Sequence, residues 1–195
     1  IAVNPVTNKI YVANALGVKV IDGATNATTS IALDSSGYAT SIAVNPVTNK
    51  IYASTASFDD KVWVIDGATN ATTRIDLGAY PSSFSDERSM AVNPVTNKIY
   101  VANAYNIVTV IDGATNATTE VATLENPYWL AVNPVTNKIY VTGYSYGVTV
   151  IDGATNATTT VATGTGYCSV TVNPVTNKIY AGHGYGVTVI DGATS

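Results

Sequence analysis

The phrase Asn4-Pro5-Val6-Thr7-Asn8-Lys9-Ile10-Tyr11 returns without change from Asn45, Asn93, Asn133 and Asn173. A second phrase, Ile-Asp-Gly-Ala-Thr, follows each copy, from Ile21, Ile65, Ile111, Ile151 and Ile190. The 195-residue chain is therefore five copies of one unit of roughly 40 residues. A period of that size constrains the fold more than any local propensity does. Each unit has to be one supersecondary element that buries its faces against its neighbours.

The third unit shows the pattern. Met90 to Asn93 is short and apolar, and Pro94-Val95-Thr96-Asn97 carries turn chemistry. Lys98 to Ala102 alternates and is rich in β-formers. A loop spans Asn103 to Asn106, Ile107 to Ile111 is again β-branched, and Asp112 to Asn116 is a second turn. Thr118 to Thr123 is a fourth run, of Thr and Val. No helical spacing of apolar residues is sustained anywhere. Four short strands with polar turns predict one antiparallel meander per unit.

Such a sheet is apolar on both sides: Val148 and Val150 face one way and Ile151 the other. Radial stacking covers both faces, so the expectation is an all-β, five-bladed β-propeller of four-stranded antiparallel blades in one domain, 1–195. A linear β-solenoid competes, but its coils are shorter. The blades fall at about 1–41, 42–89, 90–129, 130–170 and 171–195, and the second is the longest. The last blade lacks its outer strand: the runs Thr28 to Leu33, Thr72 to Leu77, Thr118 to Thr123 and Thr158 to Thr163 have no fifth counterpart. A bare edge is seldom left exposed. Either a tail beyond Ser195 or a strand added by another molecule is expected to cover it. The chain also starts inside the repeat, at Ile1, so either a leader was removed or the chain belongs to something longer.

Composition removes several classes. The net charge of -4 argues against nucleic acid. A hydrophobic fraction of 46% with 11% charged residues is too apolar for a disordered chain. No apolar run approaches the length of a bilayer span, so no membrane insertion is expected. A single cysteine, Cys168, excludes an intrachain disulfide.

Two strand motifs carry a family resemblance. One is Tyr11-Val12-Ala13-Asn14 followed by Val18-Lys19-Val20-Ile21-Asp22. The other is Tyr100-Val101-Ala102-Asn103 followed by Val108-Thr109-Val110-Ile111-Asp112. Over its whole length the chain resembles the YVTN family of β-propeller repeats found in bacterial and archaeal surface and secreted proteins. The resemblance implies a propeller at the cell surface or outside the cell. It says little about function, because the signature residues are structural. Relatives of the family include archaeal surface-layer proteins, NHL-type propellers and a streptogramin-cleaving lyase. The family is often seven-bladed, whereas five units are present here.

The repeats can be compared with one another. The turn after the inner strand and the turn before the outer strand do not vary, and in a meander both lie at one end of the sheet. The loop between second and third strands and the link between blades lie at the other end and differ in every copy. Tyr11, Tyr52, Tyr100, Tyr140 and Tyr180 belong to the repeated strand and read as blade packing. The other eight tyrosines, with Trp129, Phe58 and Phe84, fall in the variable loops. The expected ligand-binding face comprises Phe58, Tyr105, Tyr128, Trp129, Tyr144, Tyr146, Tyr167, His183 and Tyr185. The competing reading is that these aromatics plug the propeller mouth or pack between blades.

Catalytic chemistry finds little support. His183 is the one histidine, and a zinc site or catalytic triad needs more partners. A Cys168–His183 pair across the mouth is conceivable, but a loop histidine beside glycine is usually solvated. Asp59, Asp60, Asp86 and Glu87 cluster on the second unit without the ligand spacing of a calcium loop. No metal or cofactor is therefore expected. Asn26, Asn70, Asn116 and Asn156 each head an Asn-Ala-Thr, the N-glycosylation pattern, although a good turn copied with its repeat explains the same recurrence.

Together these observations predict a non-catalytic extracellular or cell-surface propeller. Its first expected role is as a structural or adhesive building block that assembles by strand addition at the open last blade. The alternative is a lectin-like or protein-binding module working through its variable loops, and a propeller lyase ranks behind both. The partners expected are another copy of itself, a glycan or a protein.

Overall fold

Side chains of the two phrases close the two invariant turns. The Asn4 side-chain oxygen accepts the amides of Val6 and Thr7 at 3.0 and 3.3 Å, and Asn45, Asn133 and Asn173 repeat the arrangement. Asn8, Asn49, Asn97, Asn137 and Asn177 take left-handed backbone angles, φ 52 to 54°, which asparagine tolerates better than most side chains. In the second turn Asp22 Oδ1 accepts the amides of Ala24 and Thr25 and the Thr25 hydroxyl, at 3.0, 2.8 and 2.9 Å. Asp66, Asp112 and Asp152 do likewise. These donors, the threonine amide foremost, hold the four carboxyls below the usual aspartate range. The turns are also joined to each other. The Gly23 amide donates to the Asn8 carbonyl at 2.8 Å, and Gly67, Gly113, Gly153 and Gly192 repeat the bond. The two invariant phrases thus form one linked structure at one end of each sheet.

A computed structural model describes residues 1–33, 38–56, 61–77, 89–103, 105–123, 126–143, 147–164 and 169–195. The first sheet is a meander of β1 (Ala2–Asn4), β2 (Lys9–Asn14), β3 (Gly17–Asp22) and β4 (Thr28–Ala32). The second holds β5 (Tyr38–Asn45), β6 (Lys50–Ala56), β7 (Lys61–Asp66) and β8 (Thr72–Asp76). The third holds β9 (Met90–Asn93), β10 (Lys98–Asn103), β11 (Ile107–Asp112) and β12 (Thr118–Ala122). The fourth holds β13 (Pro127–Asn133), β14 (Lys138–Gly143), β15 (Gly147–Asp152) and β16 (Thr158–Ala162). The fifth has three strands, β17 (Val170–Asn173), β18 (Lys178–His183) and β19 (Gly186–Asp191), so β19 is a free edge among the described residues. Every strand follows its predecessor antiparallel within its sheet. The five-bladed propeller with a short last blade is as the repeats predict. The chain divides into two compact units, Ile1–Pro94 and Val95–Ser195.

Within each unit the blades pack by the alternation that Lys-Ile-Tyr imposes. Adjacent residues of a strand face opposite ways, so the isoleucine and the tyrosine of each phrase lie on opposite faces. In the first unit Tyr11, Val18 and Val20 of the first sheet pack against Ile51, Ala53 and Ile65 of the second. In the second unit Tyr140, Val148 and Val150 of the fourth sheet pack against Ile179, Ala181 and Ile190 of the fifth. Tyrosine faces thus meet isoleucine faces. Burial raises the Tyr11 hydroxyl, and it pushes Tyr100 up to about 12, with the Asp152 charge adding to the effect.

The lysine of the phrase reaches the next blade. Lys9 Nζ donates to the Gly67 carbonyl at 2.9 Å, Lys98 to Gly153 at 2.6 Å, and Lys138 to Gly192 at 3.4 Å and to the Ser195 carbonyl. A second tie joins the buried asparagines: Asn4 Nδ2 to Asn49 Oδ1 at 2.9 Å and Asn133 Nδ2 to Asn177 Oδ1 at 2.8 Å. The outer strands β4, β8, β12 and β16 are largely exposed, which suits their threonine content.

Candidate functional site

The variable loops lie at the ends of the sheets opposite the invariant turns, and the second unit describes them best. Tyr105 and Asn106 form the β10–β11 turn with consecutive left-handed angles, φ 63 and 65°. That pairing suits the twist of a hairpin. Asparagine takes it readily, but an aromatic side chain there is strained by about 1–3 kcal/mol, a cost that tends to be kept at functional positions. Tyr105 is exposed.

Asn106 ties this hairpin to the start of the fourth blade. Its side-chain oxygen accepts the Asn126 amide at 2.9 Å, and its carbonyl accepts the Thr123 amide at 2.7 Å. The residues that follow Asn126 are Pro127, Tyr128 and Trp129. The sequence suggests a linking loop for Tyr128 and Trp129, but they lie within β13. The register of β13 against β14 shifts between Pro127 and Trp129, so Tyr128 is the extra residue of a β-bulge. A bulge redirects side chains, and here the Tyr128 and Trp129 rings stand 5.5 Å apart, tilted by 57°. Trp129 is exposed and Tyr128 is half-buried.

Tyr185 is almost fully exposed in the β18–β19 turn. His183 ends β18, half-buried, and its Nδ1 accepts the Tyr185 amide at 3.4 Å. Gly164 lies against the imidazole: a Cβ added there would come within 2.3 Å of Nδ1. The histidine is thus packed against the chain. Phe58, Tyr144, Tyr146 and Tyr167, with Cys168 and the acids Asp59, Asp60, Asp86 and Glu87, lie outside the described residues. Among the described residues no three His, Cys, Asp or Glu side chains gather as metal ligands.

Asn26, Asn70, Asn116 and Asn156 all take left-handed angles, φ 60 to 62°, in the second invariant turn. Asn26 is exposed, whereas the side-chain oxygens of Asn70, Asn116 and Asn156 are buried.

Comparison with solved structures places this arrangement. A chain in the crystal structure of a nidogen/laminin complex aligns with a TM-score of 0.70 at 15% identity, covering 99% of this chain and 75% of that one. Hydrazine synthase of Kuenenia stuttgartiensis aligns with a TM-score of 0.74 at 20% identity, covering 99% and 71%. Both neighbours share the propeller fold. At these identities the likeness speaks for fold alone. No family model and no curated protein matches the sequence.

The structure also exposes a feature that sequence comparison misses. Of the five repeated tyrosines, Tyr11, Tyr52, Tyr100 and Tyr140 are fully buried, as blade packing requires, but Tyr180 is 36% exposed. Identical residues cannot signal this difference, because it depends on whether a neighbour covers them.

Proposed function

We propose that this chain is a non-catalytic, protein-binding β-propeller of the YVTN type, acting at the cell surface or outside the cell. The observation that carries the reading is the Tyr128–Trp129 ring pair together with the exposed Tyr105, whose turn is tied to the start of the fourth blade through Asn106 and Asn126. Tyr105 is held in a strained turn, Asn106 ties that turn to Asn126, and a bulge there turns Tyr128 and Trp129 together. Tyrosine and tryptophan supply rigid contact area with a polar edge, the usual anchors of protein interfaces. The nidogen/laminin neighbour is a propeller in a protein complex, which agrees with this use of the fold. The single histidine, packed against Gly164, supports a binding role over catalysis, and the YVTN resemblance supports the location.

The test compares the wild type with a Tyr105→Ala, Trp129→Ala double variant on arrays of secreted proteins and of glycans. The expected result is protein binding that weakens tenfold or more in the variant while its melting temperature holds. Interactions that all survive the double change would sink the proposal. Binding confined to glycans would favour the lectin-like alternative instead.

A structural or adhesive building-block role is the second reading, favoured by the edge of β19, which no strand among the described residues covers. It requires a strand added there. A peptide with the sequence Thr158-Thr159-Thr160-Val161-Ala162, the outer strand of the preceding blade, should bind the protein at that edge. No binding at millimolar peptide counts against it.

A further inference from the structure

In the first and fifth blades a side chain at one repeated position closes the hairpin that follows Lys-Ile-Tyr. Asn14 Oδ1 accepts the Leu16 amide at 2.8 Å, and His183 Nδ1 accepts the Tyr185 amide at 3.4 Å. Asn103 holds that position in the third blade but is turned inward. It is buried, and its Nδ2 donates to the Thr109 hydroxyl on β11. The hairpin is made instead by the left-handed Tyr105 and Asn106. That leaves the Asn106 side chain to reach the start of the next blade, where its oxygen accepts the Asn126 amide at 2.9 Å.

Asn126 is a residue that needs such a bond. It precedes Pro127, and a proline ring pushes the residue before it toward extended backbone. Asn126 nevertheless takes a left-handed φ of 45°. Pro127 has no amide of its own, so the Asn126 amide is the last donor before the bulge at Tyr128. Pro127 is buried opposite Gly143, with its φ fixed by the ring. The direction that the chain takes at Asn126 is therefore handed through a stiff residue to Tyr128 and Trp129.

The second blade has the same bulge at the same place. The register of β5 shifts between Ala39 and Ser41, which puts Thr40 and Ser41 where the fourth blade has Tyr128 and Trp129. There a hydroxyl of the same blade holds the bulge: Ser54 Oγ accepts the Ser41 amide at 3.2 Å and lies 3.1 Å from Thr40 Oγ1. The bulge thus belongs to the scaffold, and in the fourth blade it carries an aromatic pair and a support that reaches over from the third. We infer that Asn106 is a positioning residue of the aromatic site: by fixing Asn126 it sets where the Tyr128 and Trp129 rings stand. Its purpose rests on the protein-binding reading of those aromatics, whereas the placement of the rings belongs to the chain alone and is measured without a partner.

Fluorine NMR of the whole chain labelled with fluorotryptophan tests it. The two tryptophans, Trp63 and Trp129, give two resonances, which Trp129→Phe assigns. Asn106→Gly keeps the left-handed turn and removes the acceptor, whereas Asn106→Asp keeps both. The Trp129 resonance should move by more than its linewidth in Asn106→Gly and stay in place in Asn106→Asp. The Trp63 resonance should move in neither. The melting temperature should hold in both variants, because one exposed hydrogen bond adds little to global stability. A Trp129 resonance that stays in place in Asn106→Gly overturns the inference. So does one that moves equally in both variants, since the lost acceptor is then not the cause. Resonances that behave as expected in a chain that binds no protein leave the positioning role standing and count against the protein-binding reading alone.

Discussion

Tyr140→Ala is expected to cost roughly 3–5 kcal/mol, the usual loss for deleting a buried aromatic side chain. Tyr140 is fully buried between Val148 and Val150 of its own blade and Ile179, Ala181 and Ile190 of the next. Nothing in that layer can close over the space, because strands fixed on both sides hold the sheets apart. The same substitution at Tyr180, which is 36% exposed, is expected to cost at most about 1 kcal/mol, since an exposed side chain gives up little on truncation. The two tyrosines occupy the same place in identical phrases, so the comparison isolates burial from sequence. Urea denaturation with the two variants side by side measures it. Equal losses would mean that the fifth-blade face is covered in the single chain, against the exposure seen here.

Gly153→Ala is expected to cost about 1–3 kcal/mol, the range for forcing an atom into a packed site. The glycine lies where the two invariant turns meet, and its amide donates to the Asn137 carbonyl at 2.8 Å. An added Cβ would stand 2.8 Å from that carbonyl oxygen and 2.3 Å from Asn137 Oδ1. The carbonyl cannot move aside, because it accepts the bond that ties the turns. Gly182→Ala serves as the control. Its nearest obstacle is the Ser169 hydroxyl at 3.1 Å, a group free to rotate, and a change within about 0.5 kcal/mol is expected. Thermal melts of the two variants decide it. A Gly153→Ala protein as stable as the control would show that the paired turns yield easily and that their repetition has another cause.

Much of the fold is legible in the sequence because its determinants are local. Asn4 and Asp22 bond to amides two and three residues ahead, so each phrase carries its own turn. The alternation in Lys9-Ile10-Tyr11 assigns one apolar residue to each face before any neighbour is known. The aromatic loops are legible only in part. Their residues can be counted in the sequence, but the bulge at Tyr128 arises from the pairing of β13 with β14, and the bond from Asn126 to Asn106 spans twenty residues. Neither leaves a local signature.

The sequence by itself determined the repeating blade, its turns and the two faces of each sheet. Those follow from side chains acting on their own or adjacent backbone, at a range of a few residues. The tertiary structure decided which copies of an identical residue are buried. Tyr140 and Tyr180, or Gly67 and Gly23, differ only in whether another blade lies against them. Burial depends on what lies against each sheet, and so equal phrases acquire unequal surroundings.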